Sequence, residues 1–162
     1  MDNILQLFTS LRTYLDKKFL EINKPNNVVG SKIFDALIEL DHDFGSGNDL
    51  QHNTKTNQVY RGKKYHDYKD ELIQALDDIN EKTKVKIDKT DDLFVSLTFY
   101  QTNIKQNNRQ TKDLDNMEKP TLDAMQVALG FDDAQITDKS SHKRTNFTRA
   151  LHVTIWKVWG EK

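Results

Sequence analysis

Asp113 to Asp133 reads DLDNMEKPTLDAMQVALGFDD, and the fold turns on whether this stretch is a helix. Leu122, Met125 and Leu129 recur at three- and four-residue spacing, a helical period, and Gly130 stands where such a helix should stop. In a helix starting near Asn116, Lys119 and Asp123 lie four residues apart and stack on one side, with Asp115 at the mouth of the row. The row borders the apolar stripe, so its charges are held firmly without being fully desolvated. Acidic pairs bracket the helix, Asp113 and Asp115 before it and Asp132–Asp133 after it.

Working outward, Asp91 to Gln101 reads as a strand, with Leu93, Val95, Leu97 and Phe99 on one face. Beyond the acidic pair, Ala134 to about Lys143 and Leu151 to Trp159 read as two more strands. Further upstream, Phe34, Ala36, Ile38 and Leu40 alternate through Lys32 to Asp41 as in a half-buried strand, although Ile33 and Leu37 also fit a short helix. Asp41 to Asn57 is rich in Gly, Asn, Asp and Ser and reads as a mobile loop, with His42 and His52 as solvated side chains. Tyr68, Leu72, Leu76 and Ile79 mark an amphipathic helix to about Asn80. A further amphipathic helix is expected over residues 2–22, on Ile4, Phe8, Leu11, Leu15, Phe19 and Ile22. The expected order is helix, strand, helix, strand, helix, strand, strand. That is an α/β (α+β) fold, a mixed sheet with packed helices, divided into an N-terminal helical extension (1–30) and one main domain (31–162).

Composition narrows the chemistry. The 162 residues are 36% hydrophobic and 30% charged, which suits one globular domain with a real core. With no cysteine, disulfides and thiolate metal sites are excluded, so any metal must be held by oxygen or imidazole. The N-terminus lacks the basic residues of a secretory signal and no apolar run approaches membrane-spanning length, so an intracellular, cytoplasmic protein is expected. The net charge of −1 does not advertise nucleic-acid binding, which must rest on local patches. Two exist. Arg61, Lys63, Lys64, His66 and Lys69 are interleaved with Tyr60, Tyr65 and Tyr68, and Lys139, His142, Lys143, Arg144 and Arg149 form the second. Of these, Lys63, Lys64, Lys143 and Arg144 are the expected DNA contacts.

Singly, each acidic residue has a bland reading: Asp115 caps a helix, Asp123 is a solvated helix charge, and Asp132–Asp133 are turn residues. Asp113 is different, because it lies outside the helix it would have to cap. Lys119 also stands in the weaker cation-first order toward Asp123. A calcium loop from Asp113 would need Gly at Glu118 and Glu at Ala124, and fails twice. An aspartyl-nucleophile phosphatase would follow a hydrophobic strand, whereas residues 107–112 are NNRQTK. What remains is an oxygen-only site for magnesium or manganese with a lysine in reach, suited to metal-assisted phosphodiester hydrolysis.

These residues resemble the RusA family of Holliday-junction resolvases. Its signature, Asp-x-Asp-Asn-x-x-Lys, an Asp four residues on, and a later Asp-Asp with Gln and an aliphatic residue, stands here as Asp113, Asp115, Asn116, Lys119, Asp123, Asp132–Asp133, Gln135 and Ile136. The upstream QVYRGKKYHDYKDEL also looks like the family's strand end, basic residues and helix. The resemblance covers roughly residue 31 onward. It implies a homodimer that nicks opposed strands of a four-way DNA junction with magnesium, or manganese in its place. Asp113, Asp115 and Asp133 would be the catalytic, metal-holding carboxylates and Lys119 the catalytic lysine. The chain departs from the pattern in its acidic, polar stretch Asp43 to Thr56, in the helix at 2–22, and in Pro120, which is expected to pull the helix start toward Lys119. Two rival functions stand beside this one: a junction-binding protein with little turnover, and a nuclease of the same chemistry acting on flaps or forks.

Overall fold

The structure, a computed structural model, describes residues 30–102 and 112–159. The expected helix at 2–22 lies outside the described residues. In chain order the elements are β1 (Gly30–Glu39), β2 (Leu50–Asn53), β3 (Gln58–Arg61), α1 (Lys63–Thr83), β4 (Asp92–Gln101), α2 (Leu114–Leu129), a 3-10 turn (Asp133–Gln135), β5 (Ile136–Thr145) and β6 (Ala150–Val158). No described helix is long and apolar enough to cross a membrane.

The main sheet has the order β1-β6-β4-β5. β6 runs antiparallel to both β1 and β4, while β4 and β5 are parallel. A parallel pair cannot be closed by a tight turn and needs a long crossover; here α2 lies in that crossover. The sheet is therefore mixed, as the sequence led one to expect. β4 is buried from Leu93 through Phe99 because it has a partner strand on each side. Its Leu93, Val95, Leu97 and Phe99 join Phe34, Ala36 and Ile38 of β1 and Val153 and Ile155 of β6 in one core. Tyr68, Leu72 and Leu76 of α1 and Met117, Ala124 and Met125 of α2 complete it.

The polar stretch Asp41 to Asn57 is where sequence and structure part. It contains β2, which pairs antiparallel with β3 in a separate two-stranded sheet, Leu50 opposite Arg61 and Asn53 opposite Gln58. The segment before β2 is tied down as well. Phe44 is completely buried, with its ring edge-on to Tyr68 at 5.8 Å and to Phe99 at 5.2 Å. Burying a phenylalanine stabilises by about 1.5–3 kcal/mol and each aromatic pair adds about 0.5–1.5 kcal/mol. Ordering the backbone costs about 1–2 kcal/mol per residue, so this anchor offsets the ordering of about two or three residues and further contacts hold the rest of the segment. The histidines are engaged too: His42 Nδ1 lies 3.0 Å from Glu71 Oε2, and His52 Nε2 lies 2.9 Å from Asn57 Oδ1.

Helix α2 starts at Leu114, earlier than Asn116, and Pro120 sits inside it. Pro120 therefore does not move the start toward Lys119. A proline inside a helix removes the bond to the carbonyl four residues back, at a cost of about 3 kcal/mol. Here that carbonyl, Asn116 O, is taken by the backbone N–H of Gly47 at 2.7 Å. The proline ring is buried beside Gly45, where an added Cβ would lie 3.1 Å from Pro120 Cβ and 2.7 Å from Tyr68 Cδ1. The interior proline thus creates the docking point for the 41–49 segment.

Candidate active site

The residues of the acidic motif are placed by three pieces of chain. Asp113 is the N-cap of α2, with extended backbone (φ −69, ψ 151), and its side chain makes no capping bond. The sequence reading places Asp113 outside the helix; it stands instead at the N-cap position, although its carboxylate is not used as a cap. Asp115 lies in the first turn, and Lys119 and Asp123 follow on the same side of the helix. Asp133 opens the 3-10 turn, whose closure depends on its neighbours. Asp132 Oδ1 accepts from the Ala134 N–H at 2.9 Å, and Gln135 Oε1 accepts from the Asp132 N–H at 3.0 Å. Gln135 Nε2 then donates to the carbonyls of Asp88 (2.8 Å) and Asp91 (3.1 Å), fixing the turn against the segment before β4. The Ala134 N–H, and then Asp133, hold the Asp132 carboxyl below the usual aspartate value.

Asp115, Glu118, Lys119, Leu122, Asp123, Gln126, Asp133 and Lys139 line one open groove of about 180 Å³. The structure therefore brings Asp115, Lys119 and Asp133 together from separate segments. Asp113 is exposed at the end of the helix and does not line the groove. A larger hollow of about 350 Å³ lies beside Leu40, Thr102 and Arg149. Its one cation, Arg149, is engaged with Asp43 Oδ1 (3.5 Å) and the Asp41 carbonyl (3.0 Å), so it is a less suitable place for this chemistry.

Four of the groove's charges, Lys119, Asp123, Glu118 and Lys139, have partners that limit where they can go. Lys119 Nζ faces Asp123 Oδ1 at 3.6 Å, with the lysine side chain 56% exposed. An exposed pair of this kind is worth at most about 0.5 kcal/mol. The other oxygen of Asp123 accepts a hydrogen bond from the Tyr65 hydroxyl of α1. That part-buried bond to a charged group is worth about 1.5–3 kcal/mol, so it is the stronger constraint on Asp123. Burial, and then the bond to Asp123, pushes the Tyr65 hydroxyl up to about 12, so it stays protonated and donating at any ordinary pH. Lys139 of β5 pairs with Glu118 of α2 across the groove.

The start of α1 is built by the segment before β2. Gly62, the N-cap, has no side chain to accept from the helix, and Asp49 Oδ2 accepts from the Tyr65 N–H at 3.1 Å instead. A Cβ at Gly62 would collide with that carboxylate. The Arg61 guanidinium lies 5.1 Å over the Tyr65 ring and donates to the Gly47 carbonyl. At the start of α2, Lys112 donates to the Phe44 carbonyl and lies 3.4 Å from Asp43 Oδ2. One segment, residues 43–49, thus sets both helices that carry the site.

The basic residues are more dispersed than the sequence suggests. Lys63 and Lys64 are exposed at the start of α1, with Lys63 Nζ 2.6 Å from Asp67 Oδ2. On β5, alternation sends neighbours to opposite faces. Lys139 and Lys143 lie toward α2, where Lys143 Nζ donates to the Lys112 carbonyl at 2.9 Å, while Ser140 lies beside Ser96 on the other side. Arg144, next to Lys143, is exposed and donates to the Lys143 carbonyl at 2.8 Å. Burial, and then Arg144, lowers His142 below the usual imidazole value, so it adds no cation at neutral pH.

Tyr65, Glu118 and Lys139 were not singled out as site residues from sequence. Extending the Tyr68, Leu72, Leu76 stripe back by three residues would have marked Tyr65 as buried. Its partner, 58 positions away, leaves no local signal.

The donor set suits a hard cation, since the groove offers carboxylate oxygens and no sulfur or imidazole. Among the described residues no three acidic, His or Cys side chains are gathered tightly enough to form a closed metal cage. Magnesium characteristically takes one or two carboxylates and completes its shell with water and substrate phosphate, and Asp115 with Asp133 fits that pattern. A family model described as endodeoxyribonuclease RusA matches residues 44–156, a span that includes the hairpin, both helices and every lining residue of the groove. None of the curated proteins matches the chain.

Proposed function

The chain belongs to the RusA family of endodeoxyribonucleases, the Holliday-junction resolvases, and from that premise we propose that the Asp115–Lys119–Asp133 groove is its phosphodiester-cleaving site. The observation that carries this reading is the meeting of Asp115 and Asp133 with Lys119 in one groove, although the two carboxylates come from separate segments. Asp115 and Asp133 would hold magnesium or manganese, and Asp113, exposed at the same helix end, is the third carboxylate of the family signature. When bound, such a cation supplies an acidified water and neutralises charge on the phosphate. The remaining work falls to the chain. Water gives up a proton to solvent as its oxygen attacks phosphorus, the bond to the leaving sugar oxygen breaks, and the Lys119 ammonium stabilises the gathering charge or gives that oxygen its proton.

Lys63, Lys64, Lys143 and Arg144 would contact phosphates and position the DNA, a role that makes affinity fall steeply with salt. The working unit is a homodimer in the cytoplasm. A two-fold pair of chains presents two identical grooves to the two-fold symmetry of a four-way junction and cuts opposed strands in recombination and repair.

The test is nicking of a synthetic four-way junction with and without magnesium, beside flap, fork and plain duplex substrates. The expected outcome is magnesium-dependent, paired nicking of the junction. Asp115→Asn should lower it by more than the ~10–100-fold typical of losing an outer-shell partner, with the melting temperature unchanged. Equal junction affinity without cleavage in magnesium or manganese would leave a binding protein instead. Faster cutting of flaps or forks would reassign the substrate.

A further inference from the structure

Lys119 has two aspartates within helical reach, and it is paired with the less favoured one. Asp115 precedes it by four residues and Asp123 follows it by four. In an isolated helix the acid-first order is the stronger of the two, so local preference alone sends the ammonium to Asp115. Yet its ion pair is with Asp123, at 3.6 Å. Asp115 lines the same groove, so room for the other pairing exists.

What distinguishes Asp123 is the group behind it. Its Oδ2 is held by the hydroxyl of Tyr65, a residue only 4% exposed. Tyr65 is itself pinned at its backbone N–H by Asp49 and at its ring by Arg61. Asp123 is therefore a fixed anion, whereas Asp115 is exposed in the first turn of α2. A lysine on a flexible four-carbon stem settles where the acceptor is already ordered, because less freedom is then lost on pairing.

Resting on the reading of Asp115 as a metal ligand, we propose that Tyr65 is a positioning residue which, through Asp123, keeps the Lys119 ammonium off Asp115 and so leaves that carboxylate open to the divalent cation. Loss of the Tyr65 hydroxyl would let Lys119 compete with the cation for Asp115.

The test uses the full chain and manganese alone, titrated by calorimetry. Tyr65→Phe keeps the buried ring and removes the hydroxyl. It should weaken manganese binding by about twofold, the fold-change that corresponds to the ~0.5 kcal/mol upper end for an i, i+4 lysine–aspartate pair. Adding Lys119→Met to Tyr65→Phe should restore wild-type affinity, which no general damage to the fold would allow. In junction cleavage Tyr65→Phe should lower kcat while leaving KM for the DNA unchanged. Should Tyr65→Phe misfold, Asp123→Asn removes the same anchor at a position that is only half-buried and carries the same expectations. Unchanged manganese affinity in both variants, or failure of Lys119→Met to restore it, overturns the proposal. If Asp115→Asn does not weaken manganese binding, the metal reading falls and this inference falls with it. If Asp115→Asn weakens binding and the Tyr65 and Asp123 variants do not, this inference alone falls.

Discussion

The two ends of α2 are built on opposite plans. The N-terminal end is gripped by chain some 70 residues earlier: Lys112 on Phe44 and Asp43, the Asn116 carbonyl on Gly47, and Pro120 against Gly45. The C-terminal end is closed by its own letters. Gly130 takes the left-handed conformation (φ 72) and donates its N–H to the Gln126 carbonyl, and Asp132 and Gln135 cap each other's backbone two residues on. The catalytic carboxylates proposed above are divided between these plans. Asp113 and Asp115 depend on a distant segment for their position, while Asp133 depends on a turn closed by its own neighbours and tied through Gln135 to the Asp88 and Asp91 carbonyls. Damage to the first plan should therefore cost activity as well as stability, whereas a side chain at Gly130, which would meet nothing within 4 Å, should cost chiefly stability.

The contrast is broken most forcefully at Gly45. In Gly45→Ala the new Cβ would meet the buried Tyr68 ring at 2.7 Å and Pro120 at 3.1 Å, and neither can move aside. Overpacking of this kind costs about 1–3 kcal/mol. Chemical denaturation should show that loss, and junction nicking measured well below the melting temperature should fall with it. Nicking at wild-type level in a destabilised Gly45→Ala would show that the 43–49 segment does not position Asp115.

A smaller effect is expected at the other end. Around Gly130 an added Cβ meets nothing within 4 Å, so Gly130→Ala carries only the left-handed backbone strain, about 1–2 kcal/mol. Its nicking rate should match wild type at temperatures where both are folded. A rate loss as large as that of Gly45→Ala would erase the distinction between the two ends.

The smallest effect concerns acid. The folded-state value of Asp132 lies below its usual one, set first by the Ala134 N–H. Its contribution is thus fully present above the ordinary aspartate range and is lost as pH falls through the lowered folded value. The Ala134 amide should keep its hydrogen-exchange protection from neutral pH down to the ordinary carboxylate range and lose it only below. Loss of protection already near pH 6 would show that Asp133 is not held by this turn.

The outline of this protein was legible wherever a signal repeats at short range. The β1 alternation, the β4 run, the stripe of α2 and its stop at Gly130 all follow from side-chain period and backbone sterics, which act over a few residues. The acidic motif was legible for the same reason, as spacing along one helix and one turn. The reading failed where a residue's partner lies far along the chain. Gly, Asn, Asp and Ser in residues 41–57 are loop formers locally, and nothing local reveals that Phe44 fills a gap between Tyr68 and Phe99, or that Asp49 caps α1. Pro120 looked like a starting signal, because its missing N–H is harmless in a first turn; only the folded chain supplies Gly47 to take the orphaned carbonyl. Likewise the letters place Lys119 between two aspartates and favour the first. The tertiary structure chooses the second, because one hydroxyl from α1 makes that carboxylate rigid.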